Sequence, residues 1–267
     1  MRIGVCGAGG KMGRRIVSAI LRDKNARLAF AFAPPDDDNL QVDAGLLAGE
    51  DACGVKLQSQ NAAAIAAADV MIDFSSPSGC ARSATLCAQN KTALVVGVTG
   101  LSPTQLAGLK KAARNVAVVF SPNMSAGVNA LFALAAAAAK MLADFDMEVM
   151  EAHHRHKKDA PSGTALKLGE IMAQASGGTL ARRAVFDRRG KDNIRRAKDI
   201  GFAVVRGGDI IGEHRLIFAG AGEQVELTHR SQSRDTYAAG AVRAAKWAAK
   251  AKPGFYDMTP VLAAQTN

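Results

Sequence analysis

Six consecutive side chains, His153 to Lys158, are cationic or protonatable. They lie in the run Glu151-Ala152-His153-His154-Arg155-His156-Lys157-Lys158-Asp159-Ala160-Pro161-Ser162-Gly163-Thr164, whose last four residues form a turn into an Ala- and Leu-rich helical stretch. Histidine can deliver a proton near neutral pH, fixed positive charge attracts an anion, and backbone N–H groups at a helix N-terminus bind one. The run therefore suits a small, doubly charged anion that must be protonated. Clustered histidines can also ligate zinc. Here Arg155, Lys157 and Lys158 would repel a cation, and no Cys or acid stands at ligand spacing, so no metal site is expected.

A second chemical feature is Gly7-Ala8-Gly9-Gly10-Lys11-Met12-Gly13, which follows the apolar stretch Arg2–Cys6 and opens the stretch Lys11–Leu21. Glycines between a first strand and a first helix let the chain turn tightly and approach a pyrophosphate at the helix N-terminus. Cofactor ribose preference is read at the end of the second strand, where an acid favours the free hydroxyl and an Arg favours a 2′-phosphate. This chain has Phe32-Ala33-Pro34-Pro35-Asp36-Asp37-Asp38 there, while Lys11, Arg14 and Arg15 lie near the turn. NADH and NADPH both stay open.

The elements that must position these groups fall into two patterns. Up to residue 120, strand-like runs (2–6, 28–32, 70–74, 92–96, 116–120) alternate with helix-like runs (11–21, 79–89, 102–113). Repeated βα units imply a parallel sheet with helices on both faces. Residues 34–53 read as an acidic loop. After the break Ser121-Pro122-Asn123, a helix is expected over 127–142, a strand over 147–151 and a helix over 164–174. Three strand-like runs (200–206, 210–218, 224–229) follow, with short links that favour antiparallel or mixed pairing, and then an Ala-rich helix over 236–249. The expected class is α/β: a Rossmann-like parallel-sheet cofactor domain plus a second domain with a mixed β-sheet.

Composition narrows the function classes. The chain has 267 residues, 48% hydrophobic and 22% charged, with a net charge of +10. Met1-Arg2 leads straight into the first strand, and the most apolar helical stretch is too short to span a bilayer, so neither a secretion signal nor a membrane span is expected. The four cysteines show no CxxC spacing, consistent with a reduced, cytoplasmic chain. Eight basic residues fall between Arg182 and Lys198 with almost no aromatic interleaving. They read as a solvated loop, and no nucleic-acid partner is expected.

The His-rich run with Pro-Ser-Gly-Thr resembles the signature of the 4-hydroxy-tetrahydrodipicolinate reductase (dihydrodipicolinate reductase) family. The glycine turn, Gly97-Val98-Thr99-Gly100, Ser121-Pro122-Asn123-Met124-Ser125, and Gly208 through His214 resemble other parts of that pattern, in order along the chain. The resemblance implies NAD(P)H-dependent reduction of 4-hydroxy-tetrahydrodipicolinate to tetrahydrodipicolinate, in diaminopimelate and lysine biosynthesis. It implies a dinucleotide-binding domain of residues 1–123 and 234–267, and a substrate-binding and tetramerisation domain of residues 124–233, assembled as a homotetramer. It implies His153 as general acid and Lys157 as second catalytic residue, with His154, Ser162, Gly163 and Thr164 on the substrate carboxylates. Cofactor contacts are implied for Gly7, Gly10, Lys11, Met12, Gly13, Arg14, Gly97, Val98, Thr99, Ser121, Asn123 and Met124. Two departures, Ala33-Pro34 and Ser76, fall where family members carry charged cofactor contacts.

Overall fold

A computed structural model of the chain describes residues 1–264; residues 265–267 of the expected first domain lie outside it. The chain divides into two compact units: Met1–Ala126 with the chain from Arg234 onward, and Gly127–Ser233. In order, the elements are β1 (Arg2–Cys6), α1 (Lys11–Leu21), β2 (Arg27–Phe32), α2 (Ala44–Leu47), β3 (Leu57–Gln58), α3 (Ala62–Ala66), β4 (Val70–Asp73), α4 (Pro77–Asn90), β5 (Ala93–Val96), α5 (Pro103–Ala112) and β6 (Ala117–Phe120). Then come α6 (Ala126–Met141), β7 (Asp146–His153), α7 (Gly163–Ala175), α8 (Leu180–Arg183), β8 (Ala184–Val185), β9 (Ile200–Arg206), β10 (Gly212–Ala219) and β11 (Gln224–Ser231). The chain closes with α9 (Asp235–Ala248), β12 (Gly254–Tyr256) and α10 (Met258–Ala263).

The first unit is a seven-stranded parallel sheet in the order β12-β6-β5-β4-β1-β2-β3. Its central strands are buried on both faces, so β5 and β4 up to Ile72 are continuous apolar runs without alternation. Successive residues still part to opposite sides. Val70, Ile72 and Val95 pack with Ile16, Ile20, Ala241 and Ala245 of α1 and α9. Met71, Leu94 and Val96 pack with Cys80, Cys87 and Leu109 of α4 and α5. The helix starts are written locally. Ser102 and Gln105 form a capping box ahead of α5, and Ser76 caps α4 with Pro77 in its first turn.

The second unit holds a five-stranded sheet in the order β11-β10-β7-β9-β8. β7 pairs antiparallel with β10 and parallel with β9, so the sheet is mixed. Along β7, Met147, Val149, Glu151 and His153 are buried and their neighbours are less so, the alternation of a strand with one covered face. That face packs on α6 and α7 through Leu131, Ala135, Ala165, Leu168 and Met172.

Four local expectations change. The stretch 34–53 is not all loop: Asp43 accepts from the N–H groups of Gly45 and Leu46 and starts α2. The tail contributes the edge strand β12, too short to announce itself. β7 runs two residues past 151, because its pairing with β9 continues to His153 opposite Arg206. The basic segment is only partly solvated. Arg183 is buried and donates to Ser176 Oγ and the Lys198 carbonyl, and Arg195 pairs with Asp146 and Glu148.

Candidate functional site

In the first unit the glycine turn lies at the carboxyl end of β1, where the strand order switches between β2 and β4. Ligands of doubly wound sheets bind at that switch. Gly7 has φ +81°, and its N–H and that of Ala8 both reach the Phe32 carbonyl at 2.9 Å. A Cβ on Gly13 would stand 2.0 Å from the Gly7 carbonyl oxygen, so α1 can close onto the turn only with glycine there. Gly10 caps α1 and provides no side-chain acceptor for its first N–H groups. Beside the turn is a cleft of about 760 Å³, lined by Gly7, Gly9, Gly10, Ala33, Pro34, Asp37, Ser76, Ser78, Gly79 and Arg82 among others. Glycine backbone, an open helix N-terminus and a cleft of this size fit a dinucleotide.

The other residues expected at the cofactor are spread along the same sheet. Lys11 is exposed, Met12 packs half-buried on the core, and Arg14 donates to the Gly9 carbonyl at 2.8 Å. Gly97 follows β5 against the Phe74 ring, with Val98 buried and Thr99 exposed. Ser121 is buried and its hydroxyl donates to the Asn123 carbonyl at 2.7 Å. Met124 is a core residue, with Gly240 of α9 against its carbonyl.

Behind the turn sits Asp73, fully buried at the end of β4 beside Cys6. Its Oδ1 accepts from the Ser75 N–H and hydroxyl, while Oδ2 has no partner. Burial pushes the Asp73 carboxyl up, and burial with the Asp73 charge pushes the Cys6 thiol up to about 12. Cys6, Cys80 and Cys87 are therefore apolar fillers, not nucleophiles.

In the second unit the His-rich run begins inside β7. Glu151 and His153 are two residues apart in a strand and so share a face. His153 Nδ1 lies 2.6 Å from Glu151 Oε2. Arg206, opposite His153 on β9, grips Glu151 with both terminal nitrogens at 2.7 and 2.8 Å and also donates to the Asp159 carbonyl at 2.7 Å. The Ser162 N–H donates to Glu151 Oε1 at 2.9 Å. Burial alone would raise the Glu151 carboxyl; hydrogen bonds from His153, Arg206 and the Ser162 N–H overcome that and hold it at about 2. An ionised carboxylate only accepts, so His153 Nδ1 carries a proton and Nε2 is left as the exchanging nitrogen.

The turn after the run is tied to the same face. Ser162 caps α7 by accepting from the Ala165 N–H, and its Oγ lies 3.1 Å from His214 Nε2. His214 sits opposite Glu151 on β10, its ring edge-on to His153 at 5.2 Å. Burial and then the neighbouring His153 charge push His214 down to about 3, so it stays neutral. Gly163 and Thr164 open α7, whose first turn presents the positive end of the helix dipole. Lys157 donates to Asp159 at 2.7 Å, and His154 lies 6.3 Å from His156. Among the described residues no three His, Cys, Asp or Glu side chains gather as metal ligands, and no helix is long and apolar enough to cross a membrane.

The structure thus joins His153, Ser162 and the start of α7 through three residues to which sequence reading gives no role: Glu151, Arg206 and His214. The signal for Glu151 was its two-residue spacing from His153. Arg206 and His214 depend on strand pairing, which one sequence does not display.

Comparison with known proteins agrees along the whole chain. Residues 1–124 match the family described as dihydrodipicolinate reductase, N-terminus, and residues 127–262 match dihydrodipicolinate reductase, C-terminus. A 4-hydroxy-tetrahydrodipicolinate reductase of Nitrosomonas eutropha is 46% identical over 263 residues, 98% of each chain. One from Alkalilimnicola ehrlichii is 48% identical, again over 98% of each chain. Among solved structures, dipicolinate-bound dihydrodipicolinate reductase from Paenisporosarcina sp. TG-14 aligns with a TM-score of 0.76 at 24% identity, covering 97% of this chain and 98% of that one. At that identity the likeness speaks for the fold.

Proposed function

The chain belongs to the dihydrodipicolinate reductase family, and from that premise we propose that it reduces 4-hydroxy-tetrahydrodipicolinate to tetrahydrodipicolinate with NADH or NADPH, in diaminopimelate and lysine biosynthesis. The first unit takes the dinucleotide and the second takes the cyclic dicarboxylate. The observation that carries this is the buried Glu151–His153–Arg206 cluster at the head of a cationic run that ends on a helix N-terminus.

Gly7, Gly10 and the first turn of α1 would hold the pyrophosphate, with Lys11, Met12, Gly13 and Arg14 around it. Gly97, Val98 and Thr99, after β5, serve the nicotinamide end, with Ser121, Asn123 and Met124 beyond them on the β6 side. The 4-hydroxyl must first leave as water to give a conjugated, electron-poor ring, to whose C4 the reduced nicotinamide, when bound, would supply a hydride. Lys157, His154, Ser162 and the Gly163–Thr164 start of α7 hold the substrate carboxylates, and a carboxylate arriving at Lys157 competes with Asp159 for the ammonium. His153 gives a proton to ring C3 from Nε2. Glu151 keeps the ring oriented and neutralises the imidazolium before transfer, and Arg206 keeps Glu151 in place.

The less covered face of the mixed sheet, with Val205 exposed, is the surface we assign to homotetramer assembly. The unreactive buried thiols accord with a cytoplasmic enzyme.

Coupling the protein to the upstream synthase and following NADH and NADPH oxidation separately tests the reaction; no substrate-dependent oxidation of either would refute it. His153→Gln should lower turnover by about 100-fold or more while nucleotide affinity holds. Lys157→Ala should damage both KM and kcat.

A further inference from the structure

We propose that Asp37 makes this reductase select NADH over NADPH by taking the adenosine ribose hydroxyls and repelling a 2′-phosphate. The inference rests on the dinucleotide reading above and concerns the end of β2, where Ala33 and Pro34 bring no charge to the cofactor. The chain restores an acid four residues later. The Asp37 N–H donates to the Pro34 carbonyl at 3.1 Å, a turn that folds residue 37 back over the glycine turn. Its Oδ2 lies 2.6 Å from where a Cβ on Gly9 would stand, so any side chain at Gly9 would meet the carboxylate.

The carboxylate is fixed and half used. Oδ1 accepts from both the backbone N–H and the side-chain amide of Asn39, each at 2.9 Å. Oδ2 makes no hydrogen bond, and Asp37 lines the cleft, so this oxygen is the one left to accept from a vicinal diol. The Asn39 bonds, with a smaller contribution from Arg14, hold the carboxyl below its ordinary range, so the acid meets the ligand ionised.

Of the cations near the turn, Lys11 is exposed and does not line the cleft, and the others are committed or on another wall. Arg14 donates to the Gly9 carbonyl, and Arg15 pairs with Asp235 at 2.5 Å. Arg82, the other charged residue lining the cleft, stands on α4 beside Ser78 and Gly79, while Asp37 stands at the β2 side, where ribose identity is read.

Calorimetric titration of the full chain with NADH and with NADPH, for wild type, Asp37→Asn and Arg82→Ala, tests this. Wild type should bind NADH about tenfold or more tighter than NADPH, and the gap should narrow as salt is raised. Asp37→Asn should close most of the gap, chiefly by tighter NADPH binding, with an unchanged melting temperature. Arg82→Ala should leave the ratio within about threefold of wild type. A wild-type preference for NADPH, or an unaltered ratio in Asp37→Asn, overturns the proposal while leaving the dinucleotide reading intact. Binding of neither nucleotide overturns both.

Discussion

Each unit buries one carboxylate, Asp73 behind the glycine turn and Glu151 beside His153, and the two have opposite character. Asp73 meets only hydroxyls, one N–H and a thiol; burial raises its carboxyl, and Oδ2 has no partner. Glu151 is as deeply enclosed but meets the Arg206 guanidinium, the His153 ring and the Ser162 N–H, and its carboxyl falls to about 2. Burial is the largest single influence on each and pushes both upward. What faces the carboxylate decides whether that push stands, as at Asp73, or is overcome, as at Glu151. On the proposed reading, the second unit places the fixed charge beside the proton donor, and the first keeps its carboxylate behind the glycine turn.

The largest break in that contrast is Glu151→Gln. It leaves Arg206 facing an amide in a mostly buried place and removes the counter-charge of His153. Urea unfolding should show a loss of about 3–5 kcal/mol, and turnover should fall by about 100-fold. A variant as stable and active as wild type would mean that the cluster is ornamental.

Acid should separate the two units next. His214 is held near 3 against an ordinary 6.5, so its contribution is complete above pH 6.5 and is lost as pH falls towards about 3. Glu151, held near 2 against 4.5, contributes fully above pH 4.5 and is lost below it. Asp73 has the opposite sign: its raised carboxyl favours the folded state in full below 3.8, and the benefit is lost as pH rises. By about pH 4 the second unit should have lost about 3 kcal/mol from His214 alone. Trp247, the only tryptophan, lies in α9 and reports on the first unit. Hydrogen exchange of β7 and β10 reports on the second. Equal acid sensitivity of both reporters would contradict the sign difference.

The contrast also marks what one sequence displays. The glycine turn, the capping box of α5 and the period-2 burial of β7 are local, and each can be read from neighbouring residues. The parallel sheet followed because alternating units allow few other solutions. Arg206 and His214 could not be found that way. They join Glu151 across β9 and β10, so their roles rest on register, 55 and 63 residues along the chain. Asp37 was visible as one of three acids, but only the Pro34–Asp37 turn distinguishes it from Asp36 and Asp38. The ion pairs of the basic segment are hidden from a sequence for a similar reason, since Asp146 and Glu148 lie nearly fifty residues before their partner Arg195.

A gentler change tests whether Arg206 acts as a fork or merely as a charge. Arg206→Lys keeps the charge but cannot span both Glu151 oxygens and the Asp159 carbonyl together. It should cost about 1–2 kcal/mol in urea unfolding. KM for the substrate should rise more than kcat falls, because the loop from His154 to Ser162 loses its anchor before His153 loses its counter-ion.

The smallest effect should come from the same isosteric swap at the other carboxylate. Asp73→Asn replaces an acid whose carboxyl burial raises with an amide of the same shape, and no cation is orphaned. The Ser75 bonds go to Oδ1, which the amide oxygen reproduces. Stability at neutral pH should stay within about 1 kcal/mol of wild type, and the fall in stability from pH 3.8 upward that Asp73 causes should flatten. Urea unfolding followed through Trp247 at several pH values measures both. A loss as large as that of Glu151→Gln would show that Asp73 is ionised in the folded chain, and the distinction between the two carboxylates would then collapse into one of degree.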